Sequence, residues 1–158
     1  MDFVDRCDVR PRVSRFYADL IALRKAHPVF RRPHYFKGTA HAETGLKDIT
    51  WINMAGHEMT NDDWHNGGLR AFAAMLGGDT GDRFISLRGY PELDETFLFL
   101  MNAHDHEVAF TLPSLPSFHG WKLLIDTTRP EQRPPDSRFL PNATLAMRPR
   151  TLALLVAE

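Results

Sequence analysis

Apolar residues recur with two different periods along this chain, and the change falls near residue 30. In RVSRFYADLIALRKAH (12–27), Val13, Phe16, Tyr17, Leu20 and Leu23 follow the spacing of one helical face. Lys25 and His27 occupy the last turn, where positive charge suits the carbonyl end of the helix dipole. Pro28 ends the pattern, because the residue before a proline is pushed out of helical geometry. The spacing predicts one amphipathic helix over 12–27, with Cys7 preceding it.

The remainder reads as strands. DITWIN (48–53), RFISL (83–87), TFLFLMN (96–102), EVAFTL (107–112), WKLLID (121–126) and TLALLVA (151–157) are short and rich in β-branched, aromatic and other apolar residues. Turn formers separate them, among them Gly89-Tyr90-Pro91, Pro113-Ser114 and Gly120. Strands at this spacing predict a sandwich or barrel. TFLFLMNAHDHEVAFTL reads as a hairpin around a polar turn. LRAFAAMLGG (69–78) fits a helix or a strand, since Leu69, Phe72, Ala73 and Leu76 also have helical spacing. RPEQRPPDSRFLP (129–141) reads as a loop. Trp51 and Trp121 lie inside strand patterns and are expected in the core.

Composition narrows the function class. The 158 residues suit one domain of ordinary size, with 43% hydrophobic and 25% charged residues and a formal net charge of -1. No basic stripe points to nucleic acid or to an anionic membrane. No apolar run is long enough to span a bilayer. The start, MDFVDRCDVRPR, does not resemble a secretory signal. A single cysteine cannot form an internal disulfide, and a reducing cytoplasm is the expected compartment.

Candidate chemistry concentrates in GHEMTNDDWHNG (56–67). A zinc-protease helix needs histidines at i and i+4, but the position four after His57 is Asn61. Thr60 and Asp63 instead fit a capping box on a short helical turn, with Trp64 packing back onto the domain. His104-Asp105-His106 falls in a turn, without a third ligand placed nearby. The acidic pairs Asp62-Asp63 and Asp94-Glu95, and Asp79 with Asp82, do not by spacing form the facing carboxylates of a glycosidase. No nucleophile elbow, P-loop or dinucleotide fingerprint occurs. The expectation is therefore no catalytic residue, no metal and no cofactor. Trp64, Tyr35 and Phe36 are the candidate surface aromatics, able to stack on sugar rings.

Two further segments carry a resemblance. HPVFRRPHYFKG (27–38), directly after FYADLIALRKA, is similar to the end of the catalytic barrel of isoamylase-type glycogen debranching enzymes, members of the α-amylase superfamily. KDITWINMAGHEMTNDDWHNG (47–67) resembles their segment K-D-[IV]-x-W-x-x-x-x-G-x-E-M-T-x-x-D-W through Lys47, Asp48, Trp51, Gly56, Glu58, Met59, Thr60, Asp63 and Trp64. FLFLMNAHDHEVAFTLP (97–113) and WKLLIDTTRP (121–130) extend the match.

The resemblance implies a division into 1–30, carrying the last barrel helix, and 31–158, a C-terminal antiparallel β-sandwich. It favours strand for 69–77. It implies a parent enzyme that hydrolyses α-1,6 linkages in glycogen, whose catalytic carboxylates lie on barrel strands outside this chain. The chain would be a non-catalytic scaffold for the missing barrel, with an α-glucan-binding module as the alternative. The helix's apolar stripe would then fold onto the sandwich or bury itself in a homodimer.

Overall fold

The computed structural model describes residues 5–79, 84–85, 91–129 and 137–158. Helix α1 spans Asp5–Ala26, so it starts before the expected Arg12 and includes Cys7. Arg24 and Lys25 occupy its last turn, where positive charge suits the carbonyl end. The helix stops where the sequence predicts. His27 is extended before Pro28, and a 3-10 turn, Pro28–Arg31, drops Val29 into the interior.

The strands are β1 (Ile49–Ile52), β2 (Ala71–Leu76), β3 (Phe84–Ile85), β4 (Pro91–Glu92), β5 (Phe97–Asn102), β6 (Val108–Thr111), β7 (Trp121–Asp126), β8 (Arg138–Phe139), β9 (Thr144–Met147) and β10 (Thr151–Ala157). A second short helix, α2, spans Asn61–His65. Six strands form one antiparallel sheet in the order β1-β2-β5-β10-β7-β8, and β6 pairs with β9 in a second layer. The fold is mainly antiparallel β and consistent with a sandwich, as expected. The ambiguous 69–78 segment contains strand β2, in agreement with the resemblance.

Strand parity divides the large sheet into two faces. On the inner face, Ala71, Ala73 and Met75 of β2, Leu98 and Leu100 of β5, Ala153 and Leu155 of β10 and Trp121 of β7 meet Phe110, Leu112 and Met147 from the second layer. On the outer face, Leu76, Phe97, Leu154 and Val156 are covered by Val29, Phe30 and Leu23. Both faces of β5 and β10 are thus apolar, which is why FLFLM and LALLV read as continuous runs rather than as alternation. β10 pairs Leu154 with Ile125 but Leu155 with Leu123, so Leu124 is an extra residue in a bulge.

Three expectations need correction. TFLFLMN and EVAFTL are not a hairpin, because β5 pairs with β2 and β10 whereas β6 pairs with β9. The cause is Asn102. Its side-chain amide donates to the carbonyls of His106, Met147 and Arg148, and its oxygen accepts from His104 N–H. The chain is thereby turned out of the large sheet into the second layer. The proline-rich loop contains β8 at Arg138–Phe139, and its residues 130–136 lie outside the described ones. Of RFISL, Phe84 and Ile85 pair with β4, and 83 and 86–87 lie outside the described residues. Finally, Trp121 is in the core, its indole N–H donating to Pro113 O, but Trp51 is not: it is 36% exposed on the outer face.

Over its full observed length α1 has no marked apolar face, so the expected amphipathic character is not borne out. Leu23, in the last turn, joins the outer-face cluster, while Val13, Tyr17 and Ile21 are exposed.

Candidate functional site

The candidate site grows out of the segment that follows β1. Asn53 organises it: its Oδ1 accepts from Ala55 N–H and His57 N–H, and its Nδ2 donates to Asp63. Gly56 turns the chain at φ +83°, and a Cβ there would lie 2.8 Å from the Thr111 carbonyl oxygen. The turn therefore lies flush against the end of β6, where Thr111 N–H donates to Met54 O. The chain then returns along the free edge of β1. Asn53 N–H donates to His57 O, and Met59 N–H donates to Trp51 O. An edge that would otherwise offer bare backbone groups is covered by the chain itself.

Thr60 then caps α2. Its hydroxyl accepts from Asp63 N–H, and Asp63 Oδ2 accepts from Thr60 N–H at 2.8 Å, completing the expected capping box. Thr60 N–H and Oγ1, with Asn53, hold the Asp63 carboxyl below its ordinary value. This network sets the orientation of Trp64. The Trp64 ring meets Trp51 at 5.7 Å between centroids with 79° between planes, and Trp51 meets Phe72 of β2 at 5.8 Å and 58°. Trp64 is 51% exposed, so it anchors on Trp51 without being buried.

The other two candidate aromatics sit apart from this group. Tyr35 is 98% exposed. Phe36 lies under the Arg32 guanidinium, 5.5 Å from the ring centroid. Neither shares a ring contact with Trp51 or Trp64 among the described residues. Trp51, expected in the core, and Phe72, not singled out from the sequence, are the rings that lie beside Trp64. Parity sets Trp51 and Ile52 on opposite sides of β1, but which side stays open depends on where the second layer lies, and no local pattern gives that.

Several of the titratable candidates are engaged in structure. Glu58 pairs with Lys47, and His65 Nδ1 lies 2.7 Å from Asn61 O. The His104 and His106 rings lie 4.6 Å apart, tilted at 41°, and the hydrogen bond from the His106 ring lowers the Asp105 carboxyl. Asp94 points inward, with Oδ1 2.8 Å from His27 Nδ1 and Oδ2 accepting from Val29 N–H. It clasps the helix exit to the start of β5. Asp48 is buried; burial raises its pKa, but the N–H groups of Lys37, Gly38 and Ile49 together with Arg32 outweigh that and hold it below the ordinary value. Among the described residues no three His, Cys, Asp or Glu side chains converge as metal ligands, and no described helix is long and apolar enough to cross a membrane. What the arrangement brings together is a group of three aromatic rings, two of them exposed.

No protein-family model matches the chain. It is 37% identical over 121 residues to the glycogen operon protein GlgX homolog of Mycobacterium tuberculosis and to that of Mycobacterium bovis. It is 29% identical over 121 residues to the isoamylase of Pseudomonas amyloderamosa. Each match covers 72% of this chain but only 17% of the GlgX homologs and 13% of the isoamylase. Over this stretch the chain is homologous to GlgX proteins and to isoamylase.

Proposed function

We propose that this chain is the non-catalytic C-terminal domain of a glycogen-debranching enzyme, a scaffold that packs against a catalytic barrel. The homology to GlgX and isoamylase sequences supports the parent activity, hydrolysis of α-1,6 linkages in a cytoplasmic α-glucan. The observation that carries the scaffold reading is the outer face of the large sheet. Val29, Phe30 and Leu23 cover one end of it, yet Met101 and Leu152 at the other end are only half-buried. Val13, Tyr17 and Ile21 continue the exposed apolar surface onto α1. Residues 1–30 form the segment that joins the barrel, and 31–158 form the sandwich. Burying these side chains against a partner is favourable in proportion to the apolar area removed from water.

The test is co-expression with the part of the mycobacterial GlgX homolog that lies outside the match. Co-elution of the two pieces, with release of α-1,6-linked chains only by the pair, supports the scaffold. A chain that stays alone at all concentrations, or that releases such chains unaided, overturns it. Self-association of the chain, lost on Tyr17→Asp, would instead assign the exposed apolar residues of α1 to a homodimer.

A further inference from the structure

The three-ring group at the β1 edge has a use that packing does not explain. We infer that Trp51, Trp64 and Phe72 form a non-catalytic binding platform for α-linked glucan. The substrate class rests on the parent activity proposed above; the site does not depend on docking to a barrel.

Four observations carry it. First, the two indoles are exposed at a place where burial was within reach, and the Phe72 ring beside them is half-buried. Trp51 is 36% and Trp64 51% exposed, whereas Trp121 on the same sheet is 2% exposed. Second, they are held in place. Trp51 lies on a strand whose backbone is bonded on both sides, to β2 and to Met59. Trp64 rides on a capped turn tied through Asp63 to Asn53. A preordered surface loses little freedom when a ligand arrives.

Third, the planes are not parallel. The two indoles stand at 79° and the phenyl at 58° to Trp51. An α-1,4-linked chain curves, so its successive sugar rings tilt. A bent set of ring faces suits that curvature, whereas a flat β-linked chain needs coplanar rings. Fourth, the rim is polar. Asn61 lies one turn before Trp64 on the same side of α2, and Asn61, Asp62, His65 and Asn66 are all exposed. Amides, carboxylates and imidazoles supply the donors and acceptors that sugar hydroxyls require. Aromatic faces with a few polar groups at the rim make a carbohydrate surface. Met101 and Leu152, further along the sheet face, lack ring planes and belong to the protein-docking half.

The experiment uses the whole chain. Electrophoresis through gels with and without glycogen is followed by titration of indole fluorescence with maltoheptaose and, separately, with cellohexaose. Expected are retardation by glycogen, a saturable fluorescence change with maltoheptaose and none with cellohexaose. Trp51→Ala and Trp64→Ala should each weaken maltoheptaose binding about tenfold, the loss of one stacking contact. Tyr35→Ala and Met101→Ala should leave it unchanged. Trp64→Tyr, which keeps a ring on α2, should retain most of it and excludes unfolding as the cause. Unchanged mobility in glycogen together with a flat maltoheptaose titration overturns the platform and leaves the scaffold reading standing. Equal response to cellohexaose overturns the α-linked specificity. Loss of binding in Tyr35→Ala but not in Trp64→Ala overturns the assignment of the site.

Discussion

The two faces of the six-stranded sheet are built from the same residue types, yet they are finished differently. Neighbours on β5 show it most directly. Leu100 points inward and is 1% exposed beneath the β6–β9 layer, while Met101 points outward and is only half-buried. The same holds for Ala153 and Leu152 on β10. The inner face has all its partners in this chain. Among the described residues, the outer face is covered by Val29, Phe30 and Leu23 at one end and touched by Trp64 at the β1 edge, and between them it stays half-open. Apolar composition therefore says that a surface is meant to be buried, but not by what. The inner face specifies the fold, and the open half of the outer face is where the proposed docking to a catalytic barrel would act.

The largest effects should come from the inner face. Leu100→Ala and Phe110→Ala each remove a side chain fully buried between the two layers. Each is expected to cost about 3–5 kcal/mol of unfolding free energy in urea titrations. Losses below about 1 kcal/mol would erase the distinction between the faces, since they would mean that the inner layer packs as loosely as the outer.

Next in size is Asp48, which ties the loop before β1 to the sheet margin by accepting from Lys37 N–H and Gly38 N–H at 2.7 and 2.8 Å. Asp48→Asn should cost about 1.5–3 kcal/mol at neutral pH, the range for hydrogen bonds to a charged acceptor. The sign with pH follows from the lowered pKa. The ionised carboxylate binds the native state more favourably, so its stabilisation is complete well above 3.8, the ordinary value. It is lost as pH falls through 3.8 towards the lower native value. The stability gap between wild type and Asp48→Asn should narrow over that acid range. A gap constant from pH 7 to pH 3 would show that the carboxylate's charge is not what holds the loop.

A smaller effect is expected at the cap. Thr60→Ala removes the hydroxyl that accepts from Asp63 N–H and should cost about 1 kcal/mol. Its sharper consequence is positional, because α2 orients Trp64 against Trp51. The near-ultraviolet circular dichroism of the coupled indoles should weaken well before the far-ultraviolet signal changes. An unaltered indole signal would detach the ring geometry from the capping box.

How far the sequence made this legible varies by element, for physical reasons. β7 and β10 occupy the ranges read from their apolar runs, and α1 ends where Pro28 requires. The capping box was visible because its chemistry is local, Thr60 to Asp63. The hairpin reading failed because neighbours in sequence need not pair, and the Asn102 bonds that redirect the chain join it to Met147 and Arg148, more than forty residues on. Short β9 was missed because TLAM carries a weak alternation between two turns. Trp51 was misplaced for a subtler reason. A period of two says that Trp51 and Ile52 face opposite ways, but which side is buried depends on where β6 and β9 lie. Likewise the His27–Asp94 clasp spans residues no local pattern connects.

The smallest stability effects should come from the open half of the outer face, and their smallness is the point. Met101→Gln and Leu152→Gln place a polar group on the half-buried row that also contains Phe72. In the isolated chain each should change unfolding free energy by less than about 1 kcal/mol, because the side chain keeps access to water. In the proposed complex with a catalytic barrel the same amide would be sealed from water without a partner, and a buried unsatisfied polar group costs about 1–3 kcal/mol. Stability of the isolated chain and affinity for the barrel should thus separate for these two residues, while for Leu100→Ala they should fall together. If Met101→Gln destabilised the isolated chain as much as Leu100→Ala, the outer face would be as much a part of this chain's own core as the inner one, and no partner would be needed to account for it.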